Sequence, residues 1–155
     1  MSTGIIGGTG LYELPGLERL GEVRMETPFG APSDAFIHGR LGDRDVHFLA
    51  RHGRNHHLLP SELNHRANVW AFKALGVDAI LAVSAVGSLQ SALAPRDIVV
   101  PDQFFDRTKA SDRHTFFGRG AVAHIAFAEP VCPALRAVLV AAARATAAAE
   151  SPAAR

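Results

Sequence analysis

The sequence predicts an α/β domain in which short strands come first and strand–helix units follow. Three observations favour this class. Apolar segments separated by turn residues fill the first sixty residues, an amphipathic helix follows them, and an almost wholly apolar segment comes directly after that helix. With 155 residues, 48% of them hydrophobic and 20% charged, the chain has the composition of one soluble globular domain with a sizeable core.

Four short strands are predicted in the N-terminal part, at residues 3–6, 21–26, 34–39 and 45–50. Glycine, proline and aspartate favour turns, and they separate these strands in sequences such as PFGAP (28–32) and LGD (41–43). The N-terminal part of the chain is therefore expected to supply most of a sheet.

Residues 61–75 are predicted to form a helix. Ser61 suits the N-cap, Glu62 favours the positive end of the helix dipole, and Gly76 suits the position just after the helix. Apolar side chains recur at helical spacing on one face, at Leu63, Ala67, Trp70, Ala71 and Ala74.

The segments after this helix continue the α/β pattern. Residues 78–83 are almost wholly apolar, which predicts a strand buried on both faces of a sheet. Residues 98–100 are predicted as another short strand, which Pro101 ends. A last, alanine-rich helix is predicted from Pro133 to about Glu150, because proline fits the first turn of a helix.

Net charge, cysteine content and hydropathy exclude several classes of function. Sixteen lysines and arginines balance fifteen acids, which leaves a formal charge of +1 and no basic surplus for binding nucleic acid. No run of about 18 apolar residues could cross a membrane, and we expect no leader peptide. Cys132 is the only cysteine, so no internal disulfide can form, and we expect a cytoplasmic protein.

The glycine-rich sequence GIIGGTGLY (4–12) is the first candidate for a binding site, because it directly follows an apolar strand. Without side chains, Gly7, Gly8 and Gly10 allow successive backbone N–H groups to turn toward one point, and Thr9 adds a hydroxyl. This arrangement is typical of an anion site, most often for phosphate. A tight turn without a ligand is the alternative interpretation.

Two further strand ends carry suitable side chains. Arg51 and His52 follow the strand at 45–50, and Arg51 offers a planar fork of donors that matches two phosphate oxygens. Ser84 and Ala85 follow the strand at 78–83. Because ligands of open α/β sheets lie at the carboxyl ends of strands, the three ends could converge on one site. The alternatives are a surface ion pair for Arg51 and a small core residue for Ser84.

A metal site and a dinucleotide site are both disfavoured. His52, His56, His57 and His65 are close in sequence, but there is no HExxH motif and no pair of cysteines. The glycines of the first loop do not have the G-x-G-x-x-G spacing, and no acidic residue follows at the position that binds ribose. We therefore expect no metal ion and no organic cofactor.

Seven ordered motifs resemble those of the purine nucleoside phosphorylase superfamily, and of its 5′-methylthioadenosine phosphorylase branch in particular. They are GIIGGTGLY (4–12), TPFGAPSD (27–34), ARHGRNH (50–56), NHRANVWAFKALG (64–76), VSAVGSL (83–89), DIVVPDQFFDRT (97–108) and AHIAFAEPVCP (123–133). The resemblance implies a nucleoside phosphorylase-like mixed β-sheet flanked by helices. It also implies reversible cleavage of the N-glycosidic bond of 5′-methylthioadenosine, or of a related purine nucleoside, by inorganic phosphate, usually in a homotrimer or a dimer of trimers.

The resemblance also assigns roles to residues. Thr9, Arg51, His52, Ser84 and Ala85 are expected to bind phosphate, and His56 to lie near them. His124 resembles the histidine that reaches a neighbouring subunit's pocket near the 5′-substituent. No catalytic acid is expected within this chain, because the family's purine-side acid follows the region of resemblance.

Family members are considerably longer than this chain. We expect residues 1–140 to be the N-terminal part of a nucleoside phosphorylase domain, truncated on its C-terminal side, and residues 141–155 to be a helix end and frayed tail. Three functions remain open: a phosphorylase, a non-catalytic remnant that binds phosphate or nucleoside, and a metallohydrolase built on the histidines.

Overall fold

The computed structural model describes residues 2–8, 11–108 and 114–150. Its main element is a mixed five-stranded sheet with the strand order β2-β3-β4-β1-β5. The strands are β1 (Ser2–Gly7), β2 (Leu17–Val23), β3 (Phe36–Leu41), β4 (Arg44–Ala50) and β5 (Val77–Val83). β1 runs parallel to β4 and β5, whereas β2, β3 and β4 are joined as an antiparallel meander. The predicted α/β class is confirmed.

Four of the predicted strands lie within two residues of their expected bounds, and two predictions are wrong. The strand expected at 21–26 begins earlier, as β2, because the turn that closes with the bond from Leu17 N to Leu14 O starts the strand there. Antiparallel pairing then matches Leu17 with Leu41 and Val23 with Phe36. Residues 98–100 form no strand with any part of the chain that the structure describes.

The predicted helix at 61–75 is shorter than expected. Residues Pro60–Glu62 form a 3₁₀ turn, the chain is extended at Leu63, and helix α1 covers His65–Ala74. Asn64, not Ser61, is the N-cap, and its side-chain oxygen accepts a bond of 3.2 Å from Ala67 N. The last helix, α2, covers Pro133–Glu150.

The core lies on both faces of the sheet. On one face, α1 packs through Ala71 and Phe72, and the Phe72 ring meets the Phe36 ring edge-on at a centroid distance of 4.9 Å. A Cβ atom at Gly4 would lie 2.7 Å from the Phe72 ring, so glycine allows this close approach of β1 and α1. The other face buries a second cluster, made of Ile5, Val46, Phe48 and Ala50.

Strand β5 has the expected position but not the expected burial. Only Val77 is buried, whereas Ile80 and Val83 are 36% and 45% exposed. The physical reason is the strand order, since β5 lies at an edge of the sheet and β1 is its one neighbour among the described strands.

The chain divides into two compact units. The first comprises Met1–Val86 and Ser111–Gly118 and contains the sheet and α1, and the second comprises Gly87–Ala110 and Arg119–Arg155 and contains α2. Within the second unit, Arg136 Nη2 lies 3.5 Å from Asp102 Oδ2. The domain bounds expected at 1–140 and 141–155 stay a prediction. No helix in the described part of the chain combines the length and apolar character that a membrane crossing needs.

Candidate functional site

In the first unit, the register of the sheet places the carboxyl ends of β1, β4 and β5 side by side. Gly7 of β1 pairs with Ala50 of β4 and with Val83 of β5. The residue that follows each strand therefore leaves the carboxyl edge of the sheet beside the other two. These residues line a pocket of about 300 Å³, together with five neighbours: Gly8, Leu11, Arg51, His52, His56, Val83, Ser84 and Ala85.

Arg51 lines this pocket and connects the strands around it. Its backbone N–H donates to Gly7 O at 2.9 Å, which ties the end of β4 to the end of β1. Its side chain donates from Nη2 to Ser84 Oγ at 3.1 Å and from Nε to His52 Nε2 at 3.3 Å. Neither acceptor is a carboxylate, so these bonds leave the positive charge of the guanidinium available to an anion.

The His52 ring is held in one tautomer by its second nitrogen. Nδ1 lies 2.8 Å from the carbonyl oxygen of Leu58. A carbonyl oxygen can only accept, so Nδ1 carries the hydrogen, and in the neutral ring Nε2 is an acceptor. The bond from Arg51 Nε to this nitrogen agrees with that assignment. The sequence-based expectation that His52 donates to a ligand therefore requires a proton on Nε2.

The loop after β4 is tightly turned. Gly53 has a φ of +72°, and a Cβ atom at this position would lie 2.4 Å from His57 Cε1. His57 N donates to His52 O at 3.1 Å, and His56 N donates to Gly53 O at 2.8 Å. The His56 ring lies 4.9 Å from the His52 ring. The turn thus returns a second imidazole to the wall of the pocket.

An ion-pair network supports the same loop from outside the pocket. Arg54 N donates to Asp34 Oδ2 at 2.7 Å, Arg54 Nε donates to the same carboxylate, and Arg54 Nη1 donates to Glu22 Oε1 at 2.7 Å. Burial raises the pKa of Asp34, but the bonds from Arg54 and from Ala35 N lower it more, so the net shift is downward. Hydrogen bonding to Arg54 also lowers the pKa of Glu22.

Sequence reasoning missed these supporting residues, although a signal was present. Asp34 closes the motif TPFGAPSD, and Arg54 lies in ARHGRNH. Neither residue has an oppositely charged Asp, Glu, Lys or Arg within its own motif. Only the fold shows that the two charges meet, because residues 34 and 54 are separated by β3 and β4.

The structure brings four of the six expected site residues into one pocket: Arg51, His52, Ser84 and Ala85. Thr9 lies outside the described residues, although its neighbour Gly8 lines the pocket. His124 belongs to the second compact unit, where its side chain is exposed. The geometry defines an open, cationic corner at the carboxyl ends of parallel strands, which is suited to a small oxyanion.

This fold is that of a phosphorylase-type protein. A family model described as the Phosphorylase superfamily matches residues 2–153, and the chain belongs to this superfamily. The nucleoside phosphorylase-like fold class expected from the motifs is thereby confirmed.

Within the superfamily, the chain is clearly similar to S-methyl-5′-thioadenosine phosphorylases. The chain is 63% identical over 136 residues to an S-methyl-5′-thioadenosine phosphorylase of Thermosynechococcus vestitus, covering 88% of this chain and 47% of the relative. It is 56% identical to the enzyme of the same name from Geobacter sulfurreducens, covering 91% and 49%. The chain therefore spans about half the length of the curated relatives it matches. The expected resemblance to this branch of the superfamily is confirmed.

Solved structures of methylthioadenosine phosphorylases also resemble this chain. A mutant adenosine/methylthioadenosine phosphorylase from Schistosoma mansoni, in complex with methylthioadenosine, matches with a TM-score of 0.89 and 44% identity, covering 95% of this chain and 53% of that one. The apo form of methylthioadenosine phosphorylase from the same organism matches with a TM-score of 0.87 and 43% identity, covering 95% and 54%.

Proposed function

We propose that this chain supplies the phosphate-binding part of an enzyme that cleaves S-methyl-5′-thioadenosine, or a related purine nucleoside, by phosphorolysis. The products are the free purine and a (5-methylthio)ribose 1-phosphate. The observation that carries the proposal is the bond from Arg51 to Ser84 across the ends of two parallel strands, in a small pocket that also holds His52. The similarity to S-methyl-5′-thioadenosine phosphorylases supports the substrate class.

Phosphorolysis requires a phosphate ion that is bound firmly and keeps its negative charge. As the bond between the sugar and the purine nitrogen breaks, positive charge grows on the ribosyl ring, and a phosphate oxygen forms the new bond to the same carbon. Arg51, Ser84, Thr9 and the backbone N–H of Ala85 would position the phosphate beneath the sugar. Loss of one such charged donor costs about 2–4 kcal/mol in the barrier. The purine nitrogen takes up a proton from outside this pocket.

The proposed reaction needs no metal ion and no organic cofactor, since phosphate itself is the nucleophile. The single cysteine and the near-neutral charge fit a cytoplasmic enzyme of small-molecule metabolism. We propose no nucleic-acid or membrane partner for it.

Phosphate binding and turnover by this chain test the proposal separately. Calorimetry should detect binding of inorganic phosphate, and Arg51→Ala should weaken it by about 30-fold, because a lost hydrogen bond from a charged group costs about 2 kcal/mol. Arg24→Ala is the matched control, because this arginine is 76% exposed and outside the pocket. Release of purine from methylthioadenosine with and without phosphate measures turnover.

The outcomes distinguish the enzyme from the non-catalytic remnant. Phosphate-dependent turnover supports the enzyme, and specific phosphate binding without turnover supports the non-catalytic remnant. A well-folded chain that binds no phosphate, or binds it equally well without Arg51, overturns the site.

We also propose that the complete enzyme is a homotrimer, or a dimer of trimers, in which His124 approaches the 5′-substituent in a neighbouring subunit's pocket. Subunit mixing tests this arrangement in the full-length protein. Arg51→Ala and His124→Ala variants, each impaired alone, should recover part of the activity when their subunits are exchanged, because some sites then hold both native residues. No recovery despite verified exchange contradicts the arrangement.

A further inference from the structure

A cluster of two histidines and an aspartate lies at the other end of the sheet from the phosphate pocket. His38 of β3 is the direct cross-strand partner of His47 of β4, and Asp45 of β4 pairs with Ser2 of β1. Because Ser2 begins β1 and Asp45 is near the start of β4, the cluster is at the amino-terminal ends of these parallel strands. The pocket lies at their carboxyl ends. The proposed phosphorolysis makes no use of the cluster.

The spacing of the donor atoms suits a metal ion. One nitrogen from each histidine and one oxygen from Asp45 all lie within 4.8 Å of one another. His38 Nε2 is 2.7 Å from Asp45 Oδ1, and His47 Nδ1 is 4.0 Å from Asp45 Oδ2. Ligand atoms around a tetrahedral zinc ion, each about 2.1 Å from it, lie about 3.4 Å apart. The observed distances bracket this value, so small side-chain rotations bring the donors into place.

A fourth donor is present beside these three. Ser2 Oγ lies 3.1 Å from Asp45 Oδ2 and 3.2 Å from His47 Nδ1. The two imidazole rings are stacked, with a centroid distance of 4.7 Å and an angle of 14° between planes, and strand pairing holds their backbones. Preorganised donors from three strands lower the ordering cost of binding.

The chemistry of the donors selects the class of ion. Imidazole nitrogens with a carboxylate suit zinc and neighbouring transition metals, whereas calcium and magnesium prefer oxygen ligands alone. The side chains of His38 and Asp45 are 33% and 45% exposed, which provides a path for entry from solvent.

We propose that His38, Asp45 and His47 form a binding site for one divalent ion of the zinc class, with the Ser2 hydroxyl next to the fourth coordination position. The ion links β1, β3 and β4 at the amino-terminal end of the sheet. The site is structural, because it lies at the opposite end of the strands from the phosphate pocket. No local motif links His38 and His47, because the two residues meet only once β3 and β4 pair.

Metal titration of the tag-free protein tests this site. Zinc binding should be saturable at one ion per chain and should raise the melting temperature, since the ion binds the folded chain. Cobalt(II) should give visible absorption bands of tetrahedral type. His38→Gln and Asp45→Asn should each weaken zinc affinity more than about 100-fold, beyond the usual effect of losing an outer-shell partner.

His57→Gln is the matched control, because His57 is an exposed histidine of the same unit outside the cluster. His38 and Asp45 are partly exposed, so their variants are expected to fold, and circular dichroism verifies this. Phosphate affinity should be the same in both cluster variants as in the wild type, whatever the outcome for the proposed enzyme. Absent zinc binding, or zinc affinity that His57→Gln reduces as much as His38→Gln, overturns the proposal.

Discussion

A direct hydrogen bond between His52 and phosphate requires an added proton, because of the position of the ring. Its Nδ1–H is directed at the Leu58 carbonyl, which leaves Nε2 of the neutral ring as an acceptor in the pocket. A phosphate dianion has no hydrogen to offer this nitrogen. If phosphate replaces Arg51 Nε as the partner of this nitrogen, the hydrogen bond requires one added proton, either on the ring or on a phosphate oxygen.

We expect phosphate binding to take up this proton under conditions where free phosphate is a dianion. Calorimetry in two buffers of different ionisation enthalpy should give binding heats that differ for the wild type and agree for His52→Asn. Asparagine is the suitable variant, because its amide can still donate to Leu58. Equal heats in the two buffers for the wild type would contradict the prediction.

Gly53 occupies a position that a side chain would disturb twice. Its φ is +72°, and a Cβ atom would lie 2.4 Å from His57 Cε1. Gly53→Ala should lower the free energy of unfolding by about 1–2 kcal/mol for the dihedral alone, with a further loss for the overlap. It should also weaken phosphate binding, because the loop carries His52.

Gly42→Ala separates the two effects. Gly42 also has a positive φ, of +60°, but a Cβ atom there would meet nothing within 4 Å. Urea unfolding should show a smaller loss for Gly42→Ala than for Gly53→Ala and no change in phosphate affinity. Equal losses would show that the overlap of the new Cβ atom with His57 does not destabilise the fold.

At the scale of elements, the start of α1 depends on one side chain. Asn64 caps the helix through Ala67 N, and its amide donates to Phe29 O at 2.7 Å and to Ala31 O at 3.2 Å. Asn64→Ala should cost about 1–2 kcal/mol of unfolding free energy, measured in urea. Ser61→Ala should change it by less than about 0.5 kcal/mol, because Ser61 is exposed in the preceding turn. A larger loss of unfolding free energy for Ser61→Ala than for Asn64→Ala would show that Ser61 is the N-cap.

The error at this helix has a physical reason. Local sequence favours either residue as an N-cap, since serine and asparagine are both good caps. The decision comes from residues 29 and 31, whose carbonyl groups the Asn64 amide reaches across a separation of more than thirty residues. The burial of β5 was wrongly predicted for a similar reason, because an apolar run does not show how many neighbours a strand will have.

At the scale of the whole first unit, the network of Arg54, Asp34 and Glu22 links the loop after β4 to β2 and to the start of β3. The pKa of Asp34 is lower in the folded state than its ordinary value, so the unfolded chain binds the proton more readily. The stabilisation is therefore present above about pH 4, where the unfolded carboxyl is ionised, and it is lost as the pH falls through the folded pKa.

Asp34→Asn should lower the unfolding free energy by about 2 kcal/mol at neutral pH, since it removes the charge that accepts these hydrogen bonds. The loss should shrink in acid, because the wild-type carboxylate is then protonated as well. Urea unfolding from neutral to acidic pH measures both effects. Asp43→Asn is the control, at a side chain that is 91% exposed. A loss at Asp34→Asn that is independent of pH would contradict the assignment.

Local patterns in the sequence were enough to predict the class of fold, four strands, the last helix, the superfamily and the residues that end three parallel strands. These features depend on local periodicity, turn chemistry and ordered motifs, which need no knowledge of neighbours. Five other features follow only from the folded chain: the cap of α1, the exposure of β5, the tautomer of His52, the ion pair of Arg54 with Asp34 and the contact of His38 with His47. Each of these depends on strand pairing or on contacts between distant residues, which the order of residues along the chain does not encode locally.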